Sequence, residues 1–209
     1  ALKGTGFKTF YRWIKRDFLS LFPQLPERSR LSRLITKFSA LCADFLGEPS
    51  FFTVLDSYPI ELIHPCRQGR AKTSLAKKSK DKGRWSVGIK WCVAINDQSE
   101  IVNFGWTTMN CHDQVFFPLI TAFNEKTIVL ADWGFRSADK TSIPSCLKLC
   151  KKGTWNERMQ VETAFSVLTR IMNLKHMDHR REAYLTAHLA YVAGVCNLLL
   201  TWSRELFNW

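Results

Sequence analysis

Between Trp85 and Trp106 the sequence permits few folds. In "WSVGIKWCVAINDQSEIVNFGW", Val87, Ile89, Trp91 and Val93 alternate with small or polar residues, "NDQSE" supplies a turn, and Ile101 to Trp106 returns. Period-two alternation on both sides of a polar turn predicts an antiparallel hairpin over residues 85–109. An isolated hairpin is barely stable in water, so it needs further strands and a covering layer. Two other β-rich runs offer those strands, "FFTVLDSYP" from Phe51 and "KTIVLADWGF" from Lys126. Each leads aliphatic residues into one carboxylate, Asp56 and Asp132, and then into a Pro or Gly break.

The remaining elements are mostly helical. Phe10, Trp13, Ile14, Phe18 and Leu21 recur at helical spacing, as do Leu31, Leu34, Ile35, Phe38 and Leu41, with Pro23 and Pro26 between the two sets. Lys8, Arg12, Lys15 and Arg16 lie mostly off the first stripe, as a solvated face or a DNA-facing one. A helix is expected to open at Asp113 and carry Val115, Phe116, Leu119, Ile120 and Phe123. "SIPSCLKLC" offers one more short strand despite Pro144, and two helices, about 155–173 and 180–204, end the chain. The expected architecture is an α/β mixed sheet, an antiparallel hairpin plus parallel strands, flanked by helices. Residues 1–48 form a helical lead-in and 49–209 the sheet domain.

Charge narrows the partner. The 209 residues carry 30 Lys+Arg against 18 Asp+Glu, a net charge of +12, while 46% hydrophobic and 13% aromatic residues argue for a large core rather than disorder. Such an excess of cations fits a polyanion, nucleic acid before an acidic membrane. The segment Arg67–Arg84 concentrates it, with eight Lys/Arg and the single acid Asp81. It reads as a mobile loop, either solvated or gripping phosphates. No run approaches the roughly 18 uninterrupted apolar residues of a membrane span, and no secretory leader is visible. Seven scattered Cys suit reduced thiols of a cytoplasmic protein. Cys146, Cys150, His176 and His179 do not have the spacing of a zinc site.

One Asp after a strand is ordinary turn chemistry. Two become more informative if their strands are neighbours, because ligand sites gather at strand carboxyl ends and adjacent carboxylates favour a hard cation between them. A two-metal site normally needs a third acid. In "TWNERMQVETAFSVLTRIM", Thr154 and Glu157 form a capping box, which gives Glu157 a structural role. Val161, Ala164, Phe165, Leu168 and Met172 form that helix's buried stripe, and Glu162 sits at its margin, as either a reaching acid or a surface one.

Taken in order, "TVLDSYPI", the hairpin with "NCHD", "IVLADWGF" and "RMQVETAFSVL" resemble the DDE transposases of bacterial insertion sequences. The similarity is strongest to the branch whose short transposases place "DS.P", "D.GY" and "R..(I/V)ET.F..L" in that order. It covers roughly residues 50 to 200, the C-terminal portion of the family, and residues 7–47 resemble its helical lead-in. The family's N-terminal DNA-recognition segment has little counterpart here. The resemblance implies an RNase H-like catalytic core in which Asp56, Asp132 and Glu162 are the catalytic acids and hold two Mg²⁺ ions, with Mn²⁺ as an alternative. Asp56 would bridge both ions, while Asp132 and Glu162 each hold one.

It implies Mg²⁺-dependent cleavage of double-stranded DNA at transposon ends, then transfer of the freed 3′-OH into target DNA. No Ser, Tyr or Cys nucleophile is needed. It also implies a homodimer or higher oligomer on DNA, in the bacterial cytoplasm with the nucleoid and not in a membrane. Arg67, Arg70, Lys72, Lys77, Lys78, Arg84, Lys151, Lys152 and Arg158 are the expected nucleic-acid contacts. Arg158 matches a basic position of the family. A nuclease of the same fold without strand transfer and a catalytically silent DNA-binding remnant are the alternatives. Trp133 stands where the family often has Lys, Phe135 where it has Tyr, Trp155 where Tyr precedes the Glu and Thr169 where Lys follows it. Trp133 is expected either in the core or stacked on an unpaired base. The "HD" pair His112–Asp113 also matches, with Asp113 read as a helix cap and only secondarily as a further acid.

Overall fold

The hairpin forms the middle of the sheet. The computed structural model describes residues 6–69, 75–81, 83–123, 127–150, 165–166, 168–170, 172, 174, 177, 179 and 181–207. Its strands are β1 (Phe52–Ile63), β2 (Lys77–Asp81), β3 (Arg84–Asn96), β4 (Ile101–Thr108), β5 (Ile128–Ala131) and β6 (Leu147–Leu149). β3 pairs antiparallel with β1 on one edge and with β2 and β4 on the other. β5 joins β1 in parallel, and β6 joins β5 in parallel. Leaving β2 aside, the order across the sheet is β4-β3-β1-β5-β6. The mixed α/β sheet expected from the sequence is therefore present.

Alternation along β3 divides the interior into two cores. Val87, Ile89, Trp91, Val93 and Ile95 face one side, where they meet Val54 and Ile60 of β1 and Leu185, Leu189 and Val192 of the C-terminal helix. Cys92 and Ala94 face the other side with Leu55, Phe116, Ile120, Val129 and Phe135. Ile89, Trp91 and Val93 have no solvent exposure. Each side chain buried to that degree contributes about 1.5–3 kcal/mol relative to exposure. The sheet is thus covered on both faces.

The helices are α1 (Phe7–Asp17), α2 (Arg28–Lys37), α3 (Phe117–Thr121) and α4 (Glu182–Phe207). The first two carry Phe10, Trp13 and Ile14 and then Leu31, Leu34 and Ile35 of the expected stripes, with the Pro-rich break between them, while Phe38 and Leu41 fall after α2 and are exposed. Leu21, however, falls after α1 and is exposed. Tyr191 of α4 donates to the carbonyl of Ile35, which fastens α2 to α4. The helix expected from Asp113 begins as a 3-10 turn (Asp113–Phe116) and becomes α-helical only over the five residues of α3, with Val115 exposed. Residues 165–166 and 168–170 are helical, and Phe165 and Leu168 are buried as the stripe required.

Two sequence expectations change here. The basic stretch is not wholly a loop: Lys77–Asp81 is a strand hydrogen-bonded to Arg84–Gly88. Charge counting missed this because backbone pairing needs no apolar side chain. Also, α4 is long and apolar enough, by length and composition, to cross a membrane (Glu182–Glu205, mean hydropathy 1.5). A rule of uninterrupted apolar residues overlooks it because Thr186, His188 and Asn197 break the run. In the fold Leu185, Leu189, Val192 and Ala193 of this helix are buried in the core, and 44% of its most apolar window is buried inside the protein.

Asn197 shows how that helix is held. Its Oδ1 accepts from the Ile101 amide at 2.8 Å, and its Nδ2 donates to the carbonyls of Ile101 and Phe45, each at 2.8 Å. The side chain is 5% exposed, so its removal strands the buried Ile101 amide, while the Ile101 carbonyl keeps the Gly47 amide as a donor. Asn197→Ala is expected to lower unfolding free energy by about 2–4 kcal/mol, read as a lower urea midpoint at unchanged slope.

Candidate active site

The parallel ladder between β1 and β5 is four pairs long, from Phe52↔Ile128 to Leu55↔Ala131. The next residues are Asp56 and Asp132. Parallel strands lie about 4.8 Å apart, so the two acids start side by side where the ladder ends. Asp56 differs in one respect from the expectation of a carboxylate past a strand end: β1 continues to Ile63, still paired with β3, and Asp56 lies within it opposite Val93. What ends at Asp56 is the pairing with β5.

The chain permits this through Pro59. From Asp56 onward, among the described residues, β1 has a strand neighbour on one side only. The Glu61 carbonyl, on the open side, accepts from the amide of Met177 at 3.1 Å. Pro59, two residues earlier, directs its imide the same way, so its missing N–H costs no ladder bond. β5 turns off at Asp132, which caps the 3-10 turn Trp133–Phe135 by accepting from the Gly134 amide at 2.9 Å. Asp56 is likewise fixed, its Oδ1 accepting from the Ser57 amide at 2.8 Å. Both acids are partly buried.

A third carboxylate stands near. Asp113 does not cap its helix: His112 holds the cap position and Asp113 makes no capping bond. Its Oδ1 instead accepts from Lys90 Nζ and from Ser57 Oγ, both at 2.9 Å. Its Oδ2 points to Gly134, where an added Cβ would lie 2.8 Å from Asp113 Oδ2 and 2.9 Å from Asp132 Oδ1. Only a residue without a Cβ lets both carboxylates approach this closely. Sequence reading missed Lys90 and Ser57. The available signal was a lysine sharing the face of Cys92 and Ala94, which buried lysines rarely do without a partner.

Cys92 lies beneath these groups. Burial pushes its thiol well above the usual range, and the negative charges of Asp56 and Asp113 push it further, against an opposing effect from Lys90. Such a thiol stays protonated at neutral pH and is a poor nucleophile. Cys111, less buried, shifts the other way because Thr107 and then Thr108 hydrogen-bond its sulfur.

Of the expected nucleic-acid contacts, Arg67, Lys77, Lys78 and Arg84 are exposed on the β2–β3 side of the molecule or just before it, with Arg84 Nη2 3.9 Å from Glu61. Arg70, Lys72, Lys151, Lys152, Arg158 and the third acid Glu162 lie outside the described residues, as do Trp155 and the Thr154–Glu157 capping box. Trp133 is 47% exposed, so it is not a core residue; Phe135, two positions on, fills the core instead. Among the described residues no group of three or more His, Cys, Asp or Glu forms a ready metal cage. Comparison with family models, curated proteins and solved structures finds no match.

The Lys90–Asp113 pair is mostly buried, its side chains 21% and 17% exposed. Removing one partner leaves a charge near two further acids. Lys90→Ala is expected to cost about 1–3 kcal/mol. Asp113→Asn in that background should recover part of the loss in urea unfolding, as a coupled pair requires.

Proposed function

We propose that this chain is the catalytic portion of a DDE transposase, cutting DNA at transposon ends and joining the 3′-OH to a target in Mg²⁺-dependent steps. The observation that carries this is the β1–β5 register, which brings Asp56 and Asp132 together at the carboxyl end of a parallel pair. The strand order β4-β3-β1-β5-β6, antiparallel at one end and parallel at the other, supports the RNase H-like reading. So does the stacking of Phe165 on Tyr58, ring centroids 5.1 Å apart. Phe165 follows Glu162 by three residues, and Tyr58 follows Asp56 by two.

The residues suit two Mg²⁺ ions as far as two acids can. Both are carboxylates, the oxygen donors this ion takes, and backbone amides hold each in one orientation before any ion arrives. Asp56 and Asp132 would hold the ions together with Glu162. When bound, such ions lower the pKa of the attacking water and stabilise the leaving oxygen. The chain's own groups do the rest. Lys90 neutralises Asp113, so the local excess of negative charge is confined to the acids that face DNA. The protonated Cys92 takes no part, in keeping with direct attack by water or a 3′-OH. The net charge of +12 and the exposed lysines of β2 favour the phosphate backbone, and Trp133 beside Asp132 offers a stacking surface to the cleaved strand.

Asp132→Asn is expected to reduce Mg²⁺-dependent nicking by more than about a hundredfold, since even outer-shell changes at metal sites cost 10–100-fold, with DNA affinity within about twofold of wild type. Equal nicking by the variant removes Asp132 from the site. Cleavage without joined product on a pre-cut end favours a nuclease. Binding without nicking by wild type favours the silent remnant.

A further inference from the structure

The β2–β3 ribbon presents a surface that the acids do not use. Its strands pair Lys78 with Val87 and Lys80 with Trp85, and Gly83 closes the turn at φ +82°. Cross-strand partners share a face, so Lys78, Lys80 and Trp85 lie on the side of Val87, which is fully buried in the core on that face. This is also the face of Val93, the partner of Asp56. Alternation along β3 is unbroken from Trp85 to Val93, a separation of about 27 Å at roughly 3.4 Å per residue.

Trp85 lies past the end of the core and is 49% exposed. Lys78 Nζ stands 4.4 Å and Lys80 Nζ 5.9 Å from its ring centroid. A large indole between two cations is poorly suited to burial against another protein surface. It matches a ligand that combines a flat π face with adjacent negative charge, which is the chemistry of a nucleotide in a single strand. Exposed cation–π contacts are weak, so the lysines can leave the ring for phosphates at little cost.

We infer that Trp85, with Lys78 and Lys80, is a stacking site for an unpaired DNA base, on the same face of the sheet as Asp56 and about 27 Å along β3 from it. The inference deepens the transposase reading, from which it takes DNA as the partner. It implies that the bound DNA has a single-stranded or opened segment at that distance from the cut.

The test is fluorescence anisotropy of the full chain with a labelled duplex carrying a single-stranded overhang, and with the same duplex blunt-ended. Trp85→Leu keeps an apolar side chain without a π face and is expected to weaken overhang binding about tenfold or more, with blunt binding within about twofold. Trp85→Phe should retain most of the affinity. Lys78→Ala and Lys80→Ala should each lower the salt dependence of overhang binding by about 0.7 in log–log slope. Unchanged overhang binding by Trp85→Leu overturns the inference, as does equal weakening on both DNAs or an effect of the lysines alone. Circular dichroism melts confirm that each variant is folded. Nicking measured on the same proteins separates the two readings. A wild type that nicks while Trp85→Leu binds normally overturns only the stacking site. Trp85-dependent binding without nicking overturns only the catalysis. A wild type that binds neither DNA overturns both.

Discussion

Four residue pairs between β1 and β5 decide what this fold can present at its rim. They are parallel, they come from segments more than seventy positions apart, and the last of them is Leu55 with Ala131. Because Leu55 and Ala131 belong to the same buried cluster, shifting this register by one residue would carry apolar side chains out of the core. The core therefore fixes the register, and the register fixes the acids. Nothing about Asp56 or Asp132 has to stabilise the fold for the two to be held side by side.

The surrounding structure keeps this place open and charged in one sense. β1 runs on past the ladder with β3 alone, its outer edge tolerating Pro59, while β5 turns away through the short Trp133–Phe135 turn. Asp113 is tied to Lys90 and Ser57, and Gly134 gives two carboxylates room to approach. α4, anchored through Asn197 to β4 and to Phe45, packs on the core face of the hairpin. Packing energy thus supports a cluster of acids that would repel one another in a looser frame.

Much of this could be read in the sequence, and the remainder fails for identifiable reasons. The β3–β4 hairpin was legible because alternation is local and both strands are long. The two acids could be seen, but their adjacency could not, since it depends on pairing between distant segments. Lys77–Asp81 was misread because charge hides strand pairing carried by the backbone. Asp113 was misread because a cap and a buried ion pair look alike after a turn, and only Lys90, distant in sequence, tells them apart. Trp133 looked like core because tryptophan usually is; the core position went to Phe135, on the opposite phase of the turn. Glu162 remains an expectation from motif order, supported by the position of Phe165.

Sharing of one divalent cation by Asp56 and Asp132 is the proposal on which the catalytic reading depends. The direct measurement is a crystal structure of the protein with Mn²⁺, located by anomalous scattering. The expected result is an ion with carboxylate oxygens of both Asp56 and Asp132 at about 2.1 Å, the distance of the Mg²⁺ it replaces. Manganese bound elsewhere, or no ion between these two acids at millimolar Mn²⁺, would contradict it.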